Sequence, residues 1–70
     1  MWKVATWNVN SVNARLERLL AFLGRESPDV VLLQELKCEE TKFPWEAIQK
    51  VGYQAAVFGQ KTYNGVAILA

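Results

Sequence analysis

The spacing of hydrophobic and polar positions changes several times along the chain, which predicts alternating strands and helices. Residues 2–8, WKVATWN, are rich in β-branched and aromatic side chains and predict a first strand. Residues 29–35, DVVLLQE, predict a second strand, and their apolar run does not alternate, which indicates that both faces are covered. Later strands are predicted over 53–58 and 66–70, with a turn over 59–65 between them.

Two helices are predicted between these strands. From Val12 to Leu23 the apolar residues recur at helical spacing and form one face of an amphipathic helix. Asn10, Ser11 or Asn13 can supply its N-cap. After a polar loop, the segment PWEAIQKV predicts a second, short helix that begins with proline in its first turn.

This order of elements predicts an α/β fold without internal repeats or linkers. The last segment, VAILA, has the pattern of a strand with no polar close. A second strand covered on both faces also requires another layer of structure, which 70 residues can hardly provide. We therefore expect residues 1–70 to be the N-terminal fragment of a single, larger domain.

Composition and charge exclude several classes of protein. The hydrophobic fraction is 51%, which argues against a disordered segment. No apolar run is long enough to span a bilayer and no secretory pattern follows Met1, so we expect a cytoplasmic protein without a membrane partner. The chain has no histidine and one cysteine, Cys38, which excludes histidine-dependent catalysis, internal disulfides and cysteine zinc sites from this chain alone. A net charge of +1 does not by itself argue for DNA binding.

Polar side chains follow the first two predicted strands where each strand ends. Asn8 and Asn10 lie in WNVN, and Glu35 and Lys37 lie in QELK. A right-handed crossover between parallel strands would place Asn8 beside Glu35. Their oxygens suit Mg²⁺, and Lys37 can neutralise a phosphate. The alternative is that these residues only end strands, and Asn10 fits a helix cap better than a metal ligand.

Other residues with possible chemistry have simpler structural explanations. The three tryptophans can stack on bases, but a place in the hydrophobic core is the favoured interpretation. The arginines of the first helix are expected to lie on its solvent-exposed face, and Cys38 is expected to have no chemical role. The tryptophans are Trp2, Trp7 and Trp45, and the arginines are Arg15, Arg18 and Arg25.

The segments MWKVATWNVNSVNARL, PDVVLLQELK and KFPWEAIQKVGYQAAVFGQKTYNGVAIL resemble, in order and spacing, the N-terminal portion of exonuclease III-type apurinic/apyrimidinic endonucleases. The resemblance covers essentially the whole chain, and the QE-x-K pattern after an apolar strand carries most of its specificity. WNVN alone recurs across the wider endonuclease, exonuclease and phosphatase superfamily.

The resemblance implies a DNase I-like four-layer α/β/β/α sandwich with mixed sheets. It implies a Mg²⁺- or Mn²⁺-dependent DNA-repair nuclease that cuts duplex DNA 5′ to abasic sites and degrades it 3′ to 5′, as a monomer when intact. Glu35 is then a metal ligand, Asn8 holds the metal or its water, and Lys37 orders the catalytic site. Asn10 and Arg15 border the site or the DNA.

The resemblance also implies residues that this chain lacks. The general-base aspartate of a Gly-Asp-x-Asn motif and the histidine of a Ser-Asp-His motif are absent from the sequence. We therefore expect the 70-residue chain alone to be inactive. The alternatives are another phosphoesterase of the superfamily, such as an RNA deadenylase or a phosphoinositide phosphatase, or a non-catalytic truncated fragment that binds a partner.

Overall fold

The computed structural model describes residues 2–59 and 64–70. Residues 60–63 of the predicted turn lie outside the described residues. Strands and helices alternate as the sequence predicts, with one short 3₁₀ turn in the loop after the second strand. In chain order the elements are β1 (Val4–Asn8), α1 (Leu16–Glu26), β2 (Val30–Gln34), the 3₁₀ turn (Glu40–Lys42), α2 (Trp45–Lys50), β3 (Ala55–Gly59) and β4 (Gly65–Leu69).

The four strands form one mixed sheet in the order β1-β2-β4-β3. β1 and β2 are parallel, and Asn8 lies opposite Gln34 at their carboxyl ends. β4 runs antiparallel to both β2 and β3. The predicted α/β class and the parallel crossover through α1 are therefore confirmed.

The core lies between the helices and one face of the sheet. Leu19 and Leu23 of α1 are completely buried, as are Val31 and Leu33 of β2 and Leu69 of β4. Val31 and Leu33 are two residues apart, and Leu69 is paired with Val31, so the three side chains share one face of the sheet. The helix-facing side of the sheet is thus the packed side.

The first helix begins later than the apolar spacing predicts. Val12 is completely buried, but it lies in a turn before α1. The N-cap position is Arg15, with no side-chain cap, and the hydroxyl of Ser11 accepts a 3.3 Å hydrogen bond from the backbone N–H of Ala14. The prediction that Asn10 acts as a cap is wrong, because its side chain is directed to Lys37 instead.

The opposite face of the sheet is open. Leu32 is 37% exposed, so the prediction that β2 is covered on both faces is wrong for this chain by itself. In the apolar run of β2, only the side chains that face the helices are covered by other residues. The other exposed large apolar side chains described on this face are Val4, Phe58, Val66 and Ile68.

The tryptophans divide between the core and the surface. Trp7 packs edge-on against Phe22 of α1, and Trp45 packs in the same way against Phe43. Trp2 is 76% exposed, so the prediction of a core position is wrong for that residue. It precedes β1 in the chain.

A buried hydrogen bond joins the segment after α2 to the start of β2. The hydroxyl of Tyr53 donates to the carbonyl of Pro28 over 2.5 Å. Burial, and then the nearby carboxylate of Asp29, raise the pKa of Tyr53, so the hydroxyl stays protonated and able to donate. Among the described residues, no helix has both the length and the apolar character needed to cross a bilayer.

Candidate metal and phosphate site

The carboxyl ends of β1 and β2 bring two polar side chains into contact. The side-chain amide of Asn8 donates a hydrogen bond to Oε2 of Glu35. Asn8 is aligned with Gln34 in the parallel register, so Glu35 is the next residue past the end of β2. The predicted adjacency of Asn8 and Glu35 is confirmed, and their role toward a metal stays a prediction.

Asn10 connects this pair to Lys37. The backbone N–H of Asn10 donates to Oδ1 of Asn8 over 3.1 Å. The Oδ1 atom of Asn10 accepts a hydrogen bond from the ammonium group of Lys37. Lys37, Asn10, Asn8 and Glu35 therefore form one continuous series of hydrogen bonds, which we call the polar relay.

Three of the four relay residues have positive φ angles, and so does Ser11, which follows Asn10 in the chain. Asn10, Glu35 and Lys37 have positive φ angles of 46°, 54° and 56°, and Ser11 has 85°. Non-glycine residues rarely adopt this left-handed region, and such residues concentrate at functional sites. The sequence carries only a weak signal for it, because asparagine tolerates this region at position 10 but Ser11, Glu35 and Lys37 do not favour it.

The loop after β2 is fastened to the loop after β1 through the backbone. Ser11 N–H donates to the Glu35 carbonyl over 2.9 Å, and Val12 N–H donates to the Leu36 carbonyl over 3.0 Å. These bonds extend the pairing of β1 with β2 beyond the strands themselves. They hold the left-handed turns of both loops in one arrangement.

The start of β4 supports the same loop from the other side. Leu36 N–H donates to the Gly65 carbonyl over 3.2 Å, and Lys37 N–H donates to the Asn64 carbonyl over 3.0 Å. Gly65 has a φ of 111°, and a Cβ there would lie 3.1 Å from the Cβ of the buried Leu36. A glycine is therefore required at this position.

The relay contains one carboxylate, one ammonium group and two amides. In the described segments, no three His, Cys, Asp or Glu side chains come together as a metal cluster. Mg²⁺ is commonly held by one or two carboxylates while it keeps several waters. The single carboxylate of Glu35, whose Oε2 atom accepts from the side-chain amide of Asn8, fits a hard cation that is only partly enclosed by this chain.

Arg15 is placed near the site in sequence but is not part of the relay. It is half-buried at the N-cap of α1. The structure gives its guanidinium no hydrogen bond or ion pair with another described residue. Its predicted place beside the site or the DNA stays a prediction, as does that of Asn10.

Three comparisons with known proteins agree with this geometry. Residues 5–70 match the model of the endonuclease/exonuclease/phosphatase family. Exodeoxyribonuclease III of Haemophilus influenzae is 39% identical over 67 residues, covering 96% of this chain and 25% of that protein. The chain therefore spans about a quarter of the length of the curated relatives it matches.

Solved structures give the same result. An AP endonuclease from Archaeoglobus fulgidus superposes with a TM-score of 0.97 at 41% identity, over 100% of this chain and 27% of that one. The 3′ phosphatase NExo from Neisseria, bound to a product DNA hairpin, also has a TM-score of 0.97, at 48% identity and with the same coverage.

The resemblance seen in the sequence is thus confirmed, both for the exonuclease III-type AP endonucleases and for their DNase I-like fold. The matched region leaves out only the first four residues of the chain. The chain belongs to the endonuclease/exonuclease/phosphatase family.

Proposed function

We propose that these residues form the N-terminal part of a metal-dependent DNA-repair nuclease. Its substrate is duplex DNA, which it cuts 5′ to abasic sites and degrades in the 3′ to 5′ direction. The observation that carries the proposal is the contact between Asn8 and Glu35 at the carboxyl ends of two parallel strands. Similarity to exodeoxyribonuclease III and to an AP endonuclease supports the choice of DNA as substrate.

Glu35 is the residue of this chain that would hold Mg²⁺ or Mn²⁺. Such an ion, when bound, polarises a phosphoryl oxygen and stabilises negative charge on the leaving group. Asn8 donates to Oε2 of Glu35 and thereby fixes the orientation of the carboxylate. The carboxylate of Glu35 would hold the cation through its other oxygen, Oε1.

Asn8 and Lys37 have separate tasks in this arrangement. Oδ1 of Asn8 accepts from the backbone N–H of Asn10, which determines that the amide NH₂ group points to Glu35. The ammonium group of Lys37 is held at the far end of the polar relay by Asn10. It adds positive charge to the region that would receive a phosphate.

The proposal includes the setting in which such an enzyme works. We infer a cytoplasmic protein, monomeric when intact, with duplex DNA that contains abasic sites as its partner. The general base and the phosphate-binding histidine of this family come from motifs that the 70 residues do not contain. The chain alone is therefore expected to bind a metal without cleaving DNA at a useful rate.

A chimera tests the proposed function directly. Residues 1–70 replace the matching segment of the Haemophilus influenzae exodeoxyribonuclease III. We expect the chimera to cut an end-labelled duplex with an abasic-site analogue in Mg²⁺ and to lose cleavage in EDTA. Glu35→Gln should lower the rate by about a thousandfold or more, because removing a charged stabilising group costs several kcal/mol.

A matched control removes the same charge elsewhere. Glu46→Gln alters an exposed carboxylate of α2 and should leave cleavage unchanged. A folded chimera that cleaves equally well with Glu35→Gln would overturn the proposal. Cleavage of an RNA tail or an inositol phospholipid in place of abasic DNA would replace it with another phosphoesterase activity.

A further inference from the structure

We propose that Asn64 is a site of spontaneous deamidation, and that its conversion to isoaspartate releases the loop of Leu36 and Lys37 from β4. The inference goes beyond the proposed function, because it concerns the chemical lifetime of the chain and not DNA cleavage. Asn64 is exposed and is followed directly by Gly65. An asparagine before glycine is prone to this reaction, since glycine has no Cβ to hinder attack by its own backbone nitrogen.

The reaction needs only water and the two residues themselves. The backbone nitrogen of Gly65 loses its proton and bonds to Cγ of Asn64, and the side-chain nitrogen of Asn64 leaves as ammonia. The product is a five-membered succinimide ring. Water then breaks one of the two C–N bonds of this ring, which gives either aspartate or isoaspartate. In isoaspartate the chain continues through the side-chain carbons, and the former backbone carbonyl becomes a free carboxylate.

The fold requires glycine as the neighbour of Asn64. Gly65 has a φ of 111°, which side chains of L-residues rarely allow, and a Cβ there would lie 3.1 Å from the Cβ of Leu36. Leu36 is completely buried, so it has little room to move away. A bulkier residue at position 65, which would slow the reaction, is therefore excluded by the packing of the same loop.

The other three asparagines of the chain lack this combination. Each is followed by a residue that has a Cβ, namely valine, serine or alanine. Each also has its side chain in a hydrogen bond with a carboxylate, an ammonium group or a backbone carbonyl, which restricts the approach of Cγ to the next nitrogen. These residues are Asn8, Asn10 and Asn13. Deamidation is therefore expected first at Asn64.

The backbone carbonyl of Asn64 helps to hold the loop after β2. It accepts the N–H of Lys37 over 3.0 Å, and the next carbonyl, that of Gly65, accepts the N–H of Leu36 over 3.2 Å. Isoaspartate adds one carbon, about 1.5 Å, to the path of the chain between positions 64 and 65. The spacing of the two acceptors then no longer matches that of the two donors, so the loop should open more easily.

Ageing of the chain followed by peptide mapping tests the modification. Samples are kept at neutral and at mildly alkaline pH and are then digested with trypsin. Cleavage after Lys61 releases residues 62–70, in which Asn64 is the single asparagine. We expect this peptide to gain about 1 Da and to separate into aspartate and isoaspartate forms. Conversion should be faster at the higher pH, because the attacking nitrogen must first lose its proton.

Two controls separate a reaction of the folded chain from a property of the bare sequence. Asn64→Gln keeps the side-chain amide but would have to form a larger ring, so its peptide should stay unmodified. The same chain in urea gives the rate without the fold, and the chimera gives a second folded sample. Conversion in urea but not in the folded samples would overturn the inference, as would faster conversion at Asn8, Asn10 or Asn13.

Amide hydrogen exchange measured by NMR tests the effect on the loop. In the isoaspartate form we expect the amides of Leu36 and Lys37 to exchange about tenfold faster than in fresh protein, because their acceptors are displaced. Freshly prepared Asn64→Asp adds the charge without the extra backbone carbon and should exchange like the unmodified chain. Unchanged exchange in the isoaspartate form, or equal acceleration in Asn64→Asp, would overturn the release of the loop. Neither measurement uses cleavage, so failure of the proposed function would leave both results intact.

Discussion

Asn8 donates its side-chain amide to Oε2 of Glu35, although the two residues are 27 positions apart in the chain. The contact exists because β1 and β2 are parallel neighbours whose carboxyl ends meet at one edge of the sheet. It places a carboxylate in a fixed orientation at that edge.

Glu35→Gln should abolish specific binding of Mn²⁺ to the chain. The substitution keeps the shape of the side chain but removes the negative charge that the cation requires. We expect paramagnetic broadening of the amide signals around residues 8–10 and 35–37 in the wild-type chain and its loss in the variant. Glu39→Gln, in the exposed loop after β2, serves as the control and should retain the broadening. Broadening centred elsewhere, or unaffected by Glu35→Gln, would remove Glu35 from the metal site.

Gly59→Ala should destabilise the fold by about 2 kcal/mol or more. A Cβ at Gly59 would lie 2.6 Å from the carbonyl oxygen of Cys38 and 2.8 Å from the backbone nitrogen of Glu40. Both contacts are with backbone, so neither can be relieved by a side-chain rotation. Urea unfolding of the variant measures the loss.

Gly24→Ala is the matched comparison for that experiment. Gly24 lies within α1, and a Cβ there meets nothing within 4 Å. Alanine has the higher helix propensity, so this change should stabilise the chain by up to about 1 kcal/mol. Equal effects of the two substitutions would contradict the close packing of β3 against the loop that follows β2.

Tyr53→Phe should cost about 1 kcal/mol at neutral pH, because it removes the buried donor to the Pro28 carbonyl. The pKa of Tyr53 is raised by burial and then by Asp29. A raised pKa in the folded state means that this contribution is complete below the ordinary tyrosine range. It is lost as the pH rises through the higher folded value.

The alkaline limb of the stability profile measures this effect. Wild-type stability should fall faster than that of Tyr53→Phe as the pH increases above about 10. Tyrosine absorbance at alkaline pH reports the ionisation itself. Identical pH profiles for the two proteins would mean that the Tyr53 hydroxyl does not contribute to folding stability.

Phe58→Ser should change the free energy of unfolding of the isolated chain by less than about 0.5 kcal/mol. Phe58 is 67% exposed on the open face, so little apolar area is lost from the core. The same change should improve solubility, because a contiguous exposed apolar surface favours association. Light scattering and thermal unfolding measure the two effects.

Val57→Ser provides the contrast, since Val57 is the preceding residue of β3 but points to the core with 8% exposure. It should cost about 2 kcal/mol or more through lost burial and an added hydroxyl. Similar losses for Phe58→Ser and Val57→Ser would mean that the open face is covered in solution.

The sequence predicts the elements and the meeting of Asn8 with Glu35, because hydrophobic periodicity and the right-handed crossover rule act locally. It does not predict that Asn10 turns to Lys37, since both residues adopt left-handed backbones stabilised by other loops. The late start of α1 has the same cause. Val12 is apolar at helical spacing, but its N–H is bonded to the Leu36 carbonyl across the sheet.

The exposure of two apolar residues that the sequence places in the core has a different cause. Leu32 and Trp2 have the composition of core positions, but burial depends on which layers are present. Hydrophobic periodicity shows which side chains prefer to be buried, but it does not show whether another layer of structure covers them. The open face is thus a property of the assembled sheet that local patterns cannot reveal.

The support that β4 gives to the loop of Leu36 and Lys37 has a consequence for synthesis on the ribosome. The first strand, the crossover helix and the second strand are translated early and can pair as a unit. The backbone partners of Leu36 and Lys37 are Gly65 and Asn64, which are made near the end of these 70 residues. During translation the polar relay therefore acquires its final geometry only after nearly the whole segment has left the exit tunnel.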